Sequence, residues 1–225
     1  MSNSMLKNTV LFLFTLFVCS VNAQTDYTRD SKTELKAHSP IQVGAEQFEL
    51  YANLLEGKKV GILTNQTGVV HKTGSDSYIS TVDFLLAKEV NLISIYAPEH
   101  GFRGTADAGE HIKDGKDTKT GLPITSLYGS NKKPTKKQLG NIDIMLFDLQ
   151  DVGARFYTYI SSLHYLMEAC AELDIPLIVL DRPNPNIHII DGPTLEMENK
   201  SFVGMHPIPT MHGMTIGEYA QMING

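Results

Sequence analysis

NLISIYAPEHGFRG, residues 91–104, holds an apolar run that ends abruptly in Glu99, His100 and Arg103, with Pro98, Gly101 and Gly104 around them. Short apolar runs bounded by Pro and Gly are the pattern of a strand buried on both faces. The carboxylate, imidazole and guanidinium then fall at that strand's carboxyl end. The pattern recurs along the chain. KVGILTN (59–65) leads into NQTG, IDIMLFDLQDVG (142–153) into ARFYTY, and IPLIVL (175–180) into DRPNP.

Helical spacing of apolar residues lies between these runs. It spans 47–55 (Phe48, Tyr51, and Leu54 or Leu55), 77–87 (Ile79, Val82, Phe84, Leu85, Leu86) and 158–173 (Ile160, Leu163, Leu166, Met167, Cys170, Leu173). Strands alternating with helices predict an α/β chain: a Rossmann-like, doubly wound, mostly parallel sheet with helices on both faces. Near the end, Thr215 and Glu218 form a capping box that opens one more helix. In such sheets ligands bind outside the carboxyl ends of the strands. The four polar motifs are therefore expected on one rim.

Hydrophobic residues make up 42% of the 225-residue chain and charged residues 20%, enough for a substantial core. A net charge of -6 excludes a general nucleic-acid binder, which needs a basic footprint. The one basic run, KKPTKK (132–137), reads as a solvated loop and helix start. Lys7, the apolar stretch 10–18 and the small-residue pattern ending at Ala23 have the layout of a signal peptide, 1–23, too short for a membrane span. An exported, periplasmic or secreted product follows as an expectation. Residues 24–39 are polar and aperiodic and read as a flexible leader before one domain, 40–225. Cys170 would then be the single cysteine left, and its apolar helical setting predicts a buried hydrophobe.

The motifs restrict the chemistry. The first strand leads into TNQTGVV and not into G-x-G-x-x-G, and no phosphate-binding P-loop occurs, so no nucleotide cofactor is expected. H-E-x-x-H, cysteine clusters and the G-x-S-x-G elbow are also missing, which leaves no predicted metal site and no serine nucleophile. Carboxylates remain: Glu99, Glu110, Asp148, Asp151 and Asp181. Glycoside hydrolysis needs such groups, one of them protonated to assist the leaving oxygen. Glu99, set between Pro98 and Gly101, suits that role. Asp148 and Asp181 read as acceptors for backbone amides at strand ends. Arg103 and Arg155 suit an anionic group on a substrate. Phe156, Tyr157 and Tyr159 can stack on a sugar or pack at a helix start.

The runs GILTNQTGV, APEHGFRG, TGLPITSLYG, FDLQDVGARFYTYI, VLDRPNP, DGPTLE and SFVGMHPIPTMHGMTIGE resemble the exo-β-N-acetylmuramidase (NamZ-type) family of glycoside hydrolases over residues 57–220. The resemblance implies an exported bacterial enzyme that removes terminal N-acetylmuramic acid from the non-reducing end of peptidoglycan fragments. It implies Glu99 as catalytic acid, with Asp151 and Tyr157 as candidates for the second group. Asn65, Gln66, His100, Arg103, Gln150, Arg155, Arg182 and Asn184 are the expected substrate-binding set. It also implies a second, C-terminal domain in longer members, beyond Gly225. The alternative is a wall-sugar-binding domain without turnover.

Overall fold

In the computed structural model, the residues described are 41–72, 74–99, 101–103 and 114–225. The expected signal peptide and leader, together with His100 and Glu110, lie outside them. After two single 3-10 turns come α1 (Ala52–Leu55), β1 (Val60–Thr64), β2 (Val69–His71), β3 (Tyr78–Ser80), α2 (Thr81–Ala87) and β4 (Leu92–Ala97). Then follow β5 (Gly115–Lys116), β6 (Pro123–Ser126), α3 (Lys136–Leu139), β7 (Ile144–Asp148), α4 (Tyr159–Ala171), β8 (Leu177–Val179), β9 (Ile190–Asp191), β10 (Met211–His212) and α5 (Ile216–Asn224).

The central sheet has the order β5-β6-β4-β1-β7-β8, and only β5 runs antiparallel to its neighbour. All five residues of β1 and all five of β7 are buried, because both faces of the sheet are covered. On one face Leu139 of α3, Leu163 and Leu166 of α4 and Tyr219 of α5 pack on Leu63, Met145 and Phe147. On the other, Tyr51, Leu55 and the α2 residues Val82 and Leu85 pack on Val60, Ile62, Ile95 and Leu146. Each such leucine, fully buried, stabilises the fold by roughly 1.5–3 kcal/mol relative to exposure.

The crossover through α2 moves the chain from β1 outward to β4. Those through α3 and α4 build β7 and β8 on the other side of β1. The order therefore reverses between β1 and β7, the place where doubly wound sheets open a crevice. The sheet and its order meet the α/β expectation. Three local expectations change. Residues 47–55 form 3-10 turns and a one-turn helix instead of a continuous helix. The 77–87 segment begins as β3 and turns helical only at Thr81, where the Ser80 hydroxyl accepts from Val82 N. A fifth parallel strand, β6, joins the four that the apolar runs predict. The Thr215–Glu218 capping box forms as expected, and Thr135 builds a second one with Gln138 at the end of the basic run. No helix among the described residues is long and apolar enough to cross a membrane.

Candidate active site

The carboxyl ends of β6, β4, β1, β7 and β8 form one rim, and the turn after β1 ties its middle together. Asn65, 1% exposed, accepts from Thr67 N at 2.8 Å and Thr67 Oγ1 at 2.6 Å, an Asx-type turn. Its Nδ2 donates to the Tyr159 hydroxyl at 2.5 Å. Thr67 Oγ1 in turn accepts from Gln150 N at 3.0 Å, which joins the β1 turn to the β7 turn. Gly68 is required here, since a Cβ would stand 2.0 Å from Thr64 Oγ1. Gln66 remains exposed.

Glu99 is half-buried on the turn after β4, and its Oε1 accepts from the Tyr128 hydroxyl at 3.2 Å. Tyr157 and Tyr159 meet edge to face, ring centroids 4.7 Å apart. Burial raises the Tyr159 pKa most, then the Tyr157 hydroxyl beside it, and Glu99's charge adds to the rise. Glu99 and the Tyr157–Tyr159–Asn65 group thus share one electrostatic neighbourhood. A pocket of about 250 Å³ opens beside it, lined by Asn65, Gln66, Gly68, Ser80, Phe102 and Arg103.

The other predicted residues divide by what already holds them. Arg103 gives Nε to Asp117 Oδ1 at 2.6 Å and Nη2 to Asp117 Oδ2 at 2.7 Å, with Asp83 Oδ1 3.5 Å away. Held in this fork, Arg103 lines the pocket. Arg155 donates Nη1 to the Pro193 and Ile208 carbonyls, so it braces the 193–208 loop. Arg182 is 6% exposed and gives Nε to Asp148 Oδ1 at 2.6 Å. Asp148 holds this guanidinium in place of the backbone amides expected of it. Asn184, also buried, donates to the Met214 carbonyl and accepts from Asn186 N.

Gln150 spends its Nε2 on the carbonyls of Asp151 and Pro183. Asp181 accepts from Arg182 N, Gly217 N and the Thr215 hydroxyl, the amide-orienting role expected of it. Asp151 is 3% exposed, and its Oδ1 has no hydrogen-bond partner among the described residues. Its Oδ2 accepts from Gly153 N at 2.8 Å and lies 3.6 Å from His212 Nε2. The His212 Nδ1 accepts from Met214 N, which assigns the ring proton to Nε2, on the side of Asp151.

Among the four described carboxylates of these strand ends, Glu99 alone is half-buried with a single hydrogen-bond donor among the described residues. Sequence reasoning missed Tyr128 and Asp117. Tyr128 stands inside the quoted TSLYG run, but β6 is too short and polar to register as a strand. A larger apolar groove, about 390 Å³, lies between α4, α5 and β8, lined by Met167, Cys170 and Leu177 among others. Burial pushes the Cys170 thiol up to about 12, so it stays protonated there, the buried hydrophobe expected.

With this geometry the wider comparison is decisive. The family described as "Exo-beta-N-acetylmuramidase NamZ, N-terminal" matches residues 60–225. The chain belongs to this family. It is 44% identical over 223 residues to the peptidoglycan beta-N-acetylmuramidase NamZ of Bacillus subtilis (strain 168), covering 98% of this chain and 53% of that protein. Crystal structures of two DUF1343 family proteins of Bacteroides fragilis NCTC 9343 share the fold. One has a TM-score of 0.71 at 45% identity, over 83% of this chain and 47% of that one. The other has 0.73 at 45%, over 82% and 46%. The chain thus spans about half the length of these NamZ-family relatives.

Proposed function

We propose that this chain carries the acid-bearing half of an exo-acting glycoside hydrolase that releases terminal N-acetylmuramic acid from the non-reducing end of peptidoglycan fragments. Family membership and the activity of the Bacillus relative support the reaction class. The observation that carries the assignment within this chain is Glu99: a rim carboxylate at the end of β4 with one oxygen held by Tyr128. A protonated Glu99 gives its proton to the glycosidic oxygen as the bond to the anomeric carbon breaks. Tyr157, packed edge to face on Tyr159, and Asp151 are the candidates for the second group, and Gln66 is exposed beside the pocket to meet the sugar. Arg103, fixed by Asp117 in the lining of the pocket, is the cation for the lactyl carboxylate that distinguishes N-acetylmuramic acid from N-acetylglucosamine. The layout of residues 1–23 supports export to the compartment where such fragments occur.

The test compares purified protein and Glu99→Gln on a β-N-acetylmuramide and a β-N-acetylglucosaminide that both carry a sugar leaving group, which needs protonation. Release from the muramide alone, falling about 100-fold or more in the variant, is expected from the weight of a positioned acid. Equal release from both sugars would remove the specificity claim. An undiminished variant would remove Glu99. Saturable binding without release would assign sugar binding instead of hydrolysis.

A further inference from the structure

We propose that Tyr128 is the positioning residue for Glu99, holding Oε1 so that Oε2 is the oxygen that gives up the proton. This rests on the reading of Glu99 as the acid. β4 and β6 are parallel neighbours whose last register pair is Ala97 with Ser126. Leu127 N carries the ladder one step further, donating to the Ala97 carbonyl at 2.8 Å. Two residues beyond the register pair on each strand stand Glu99 and Tyr128, side by side at the rim.

Their meeting is built by the sheet rather than by chance approach of two flexible chains. The turn after Tyr128 is closed on both sides. Asn131 N donates to the Tyr128 carbonyl at 3.3 Å, and Asn131 Nδ2 to the Ser126 carbonyl at 2.7 Å. The phenol that reaches Glu99 therefore starts from an anchored backbone. A tyrosine hydroxyl ordinarily titrates at about 10, and the ionised form of Glu99 only raises it, so Tyr128 is a donor at neutral pH in either state of Glu99.

A donor on one carboxyl oxygen suits an acid that works through the other. Before the reaction Tyr128 fixes rotation of the carboxyl group, leaving Oε2, which has no hydrogen-bond partner among the described residues, for the leaving oxygen. During the reaction the proton passes from Oε2 to the glycosidic oxygen, which also keeps the electron pair of the breaking bond. Negative charge develops on the carboxylate, and the bond from Tyr128 becomes charge-assisted and stronger. Tyr128 keeps its own proton throughout and need not touch the sugar.

Tyr128→Phe retains the ring and removes only the donor. The experiment measures kcat and KM for this variant on two β-N-acetylmuramides. One carries a sugar leaving group, which needs protonation. The other carries 4-nitrophenol, which leaves with little help. The expected result is a kcat loss of about 10-fold to 100-fold on the first, little change on the second, and unchanged KM on both. In the Glu99→Gln background the same substitution should add almost nothing, because both act on one step.

An equal loss on both substrates, a loss confined to KM, or full additivity with Glu99→Gln would overturn the proposal. A thermal midpoint near that of the wild type excludes a folding defect, and Tyr128→Phe that loses its fold would assign the residue to structure instead. If Glu99→Gln loses activity while Tyr128→Phe does not, this proposal alone falls. If Glu99→Gln keeps full activity, or the wild type turns over neither glycoside, the reading beneath it falls as well.

Discussion

Arg182 and Asp148 meet in a two-pronged ion pair at the ends of neighbouring strands, Nε to Oδ1 at 2.6 Å and Nη2 to Oδ2 at 3.1 Å, with side chains 5% and 0% exposed. The same Nη2 donates to the Val69 carbonyl at 2.9 Å, so one guanidinium closes β7, β8 and the β2 turn together. Removing one partner leaves the other charge buried and unpaired. Arg182→Met is expected to destabilise the fold by about 3–5 kcal/mol. Urea unfolding at neutral pH checks it. Asp148→Asn combined with Arg182→Met should cost less than the sum of the two single changes, because the orphaned charge is gone. A change under about 1 kcal/mol for the single variant would show that the pair is not structural.

That pair also marks the boundary of what the sequence discloses. β1, β4, β7 and β8 are legible because a strand buried on both faces must be apolar throughout, and α4 because its inward residues recur at helical spacing. The shared rim follows from those strands being parallel. Which polar side chains turn inward does not follow, because it depends on partners far along the chain. Arg182 finds Asp148 across 34 residues, and Arg155 reaches Ile208 across 53. Local pattern treats all these arginines alike. β6 escaped because four residues, PITS, with a proline at the start, give neither an apolar run nor an alternation. With that strand went the position of Tyr128. Residues 47–55 misled in the opposite sense: their spacing of Phe48, Tyr51 and Leu55 suits a helix, but the Tyr51 hydroxyl reaches back to the Ala45 carbonyl over tight 3-10 turns.

Arg103 and Asp117 set part of the acid sensitivity. The Arg103 hydrogen bonds hold the Asp117 carboxyl well below the usual carboxylate range, against the opposing effect of burial, and Thr120 adds its hydroxyl and backbone N–H. The folded pKa is therefore lower than the unfolded one, about 3.9. Stability from this group is fully present above that value and is lost as pH falls through it toward the folded pKa. Asp117→Asn should be less stable than the wild type at pH 7, with the difference shrinking as pH falls to about 3. Urea midpoints at both pH values test this. A difference independent of pH would mean that packing, not charge, is what Asp117 contributes.

His164 on α4 and His206 on the loop before β10 share a hydrogen bond, Nδ1 to Nε2 at 3.0 Å, and both pKa values are lowered, first by burial. Glu168 opposes the shift at His164, while Lys133 and Lys200 reinforce it there. At His206 the neighbouring His164 and Lys200 reinforce it, and Tyr219 packs edge-on against the ring. The folded pKa values lie below the unfolded value of about 6.5. The stabilising contribution is thus complete above that pH and is lost as pH falls toward the folded values, where a second proton would set two cations 3.0 Å apart. The loop has one other clasp on α4, the Phe202 ring stacked on Tyr165 at 5.7 Å. Acidification should therefore loosen residues 200–207 before the rest of the sheet. Hydrogen exchange, corrected for the intrinsic pH dependence, is expected to show weaker protection of this loop at pH 5 than at pH 7.5. In His206→Asn the protection should be lower at both values and nearly independent of pH. Equal protection of the wild-type loop at both pH values would mean that the histidine pair does not govern its docking.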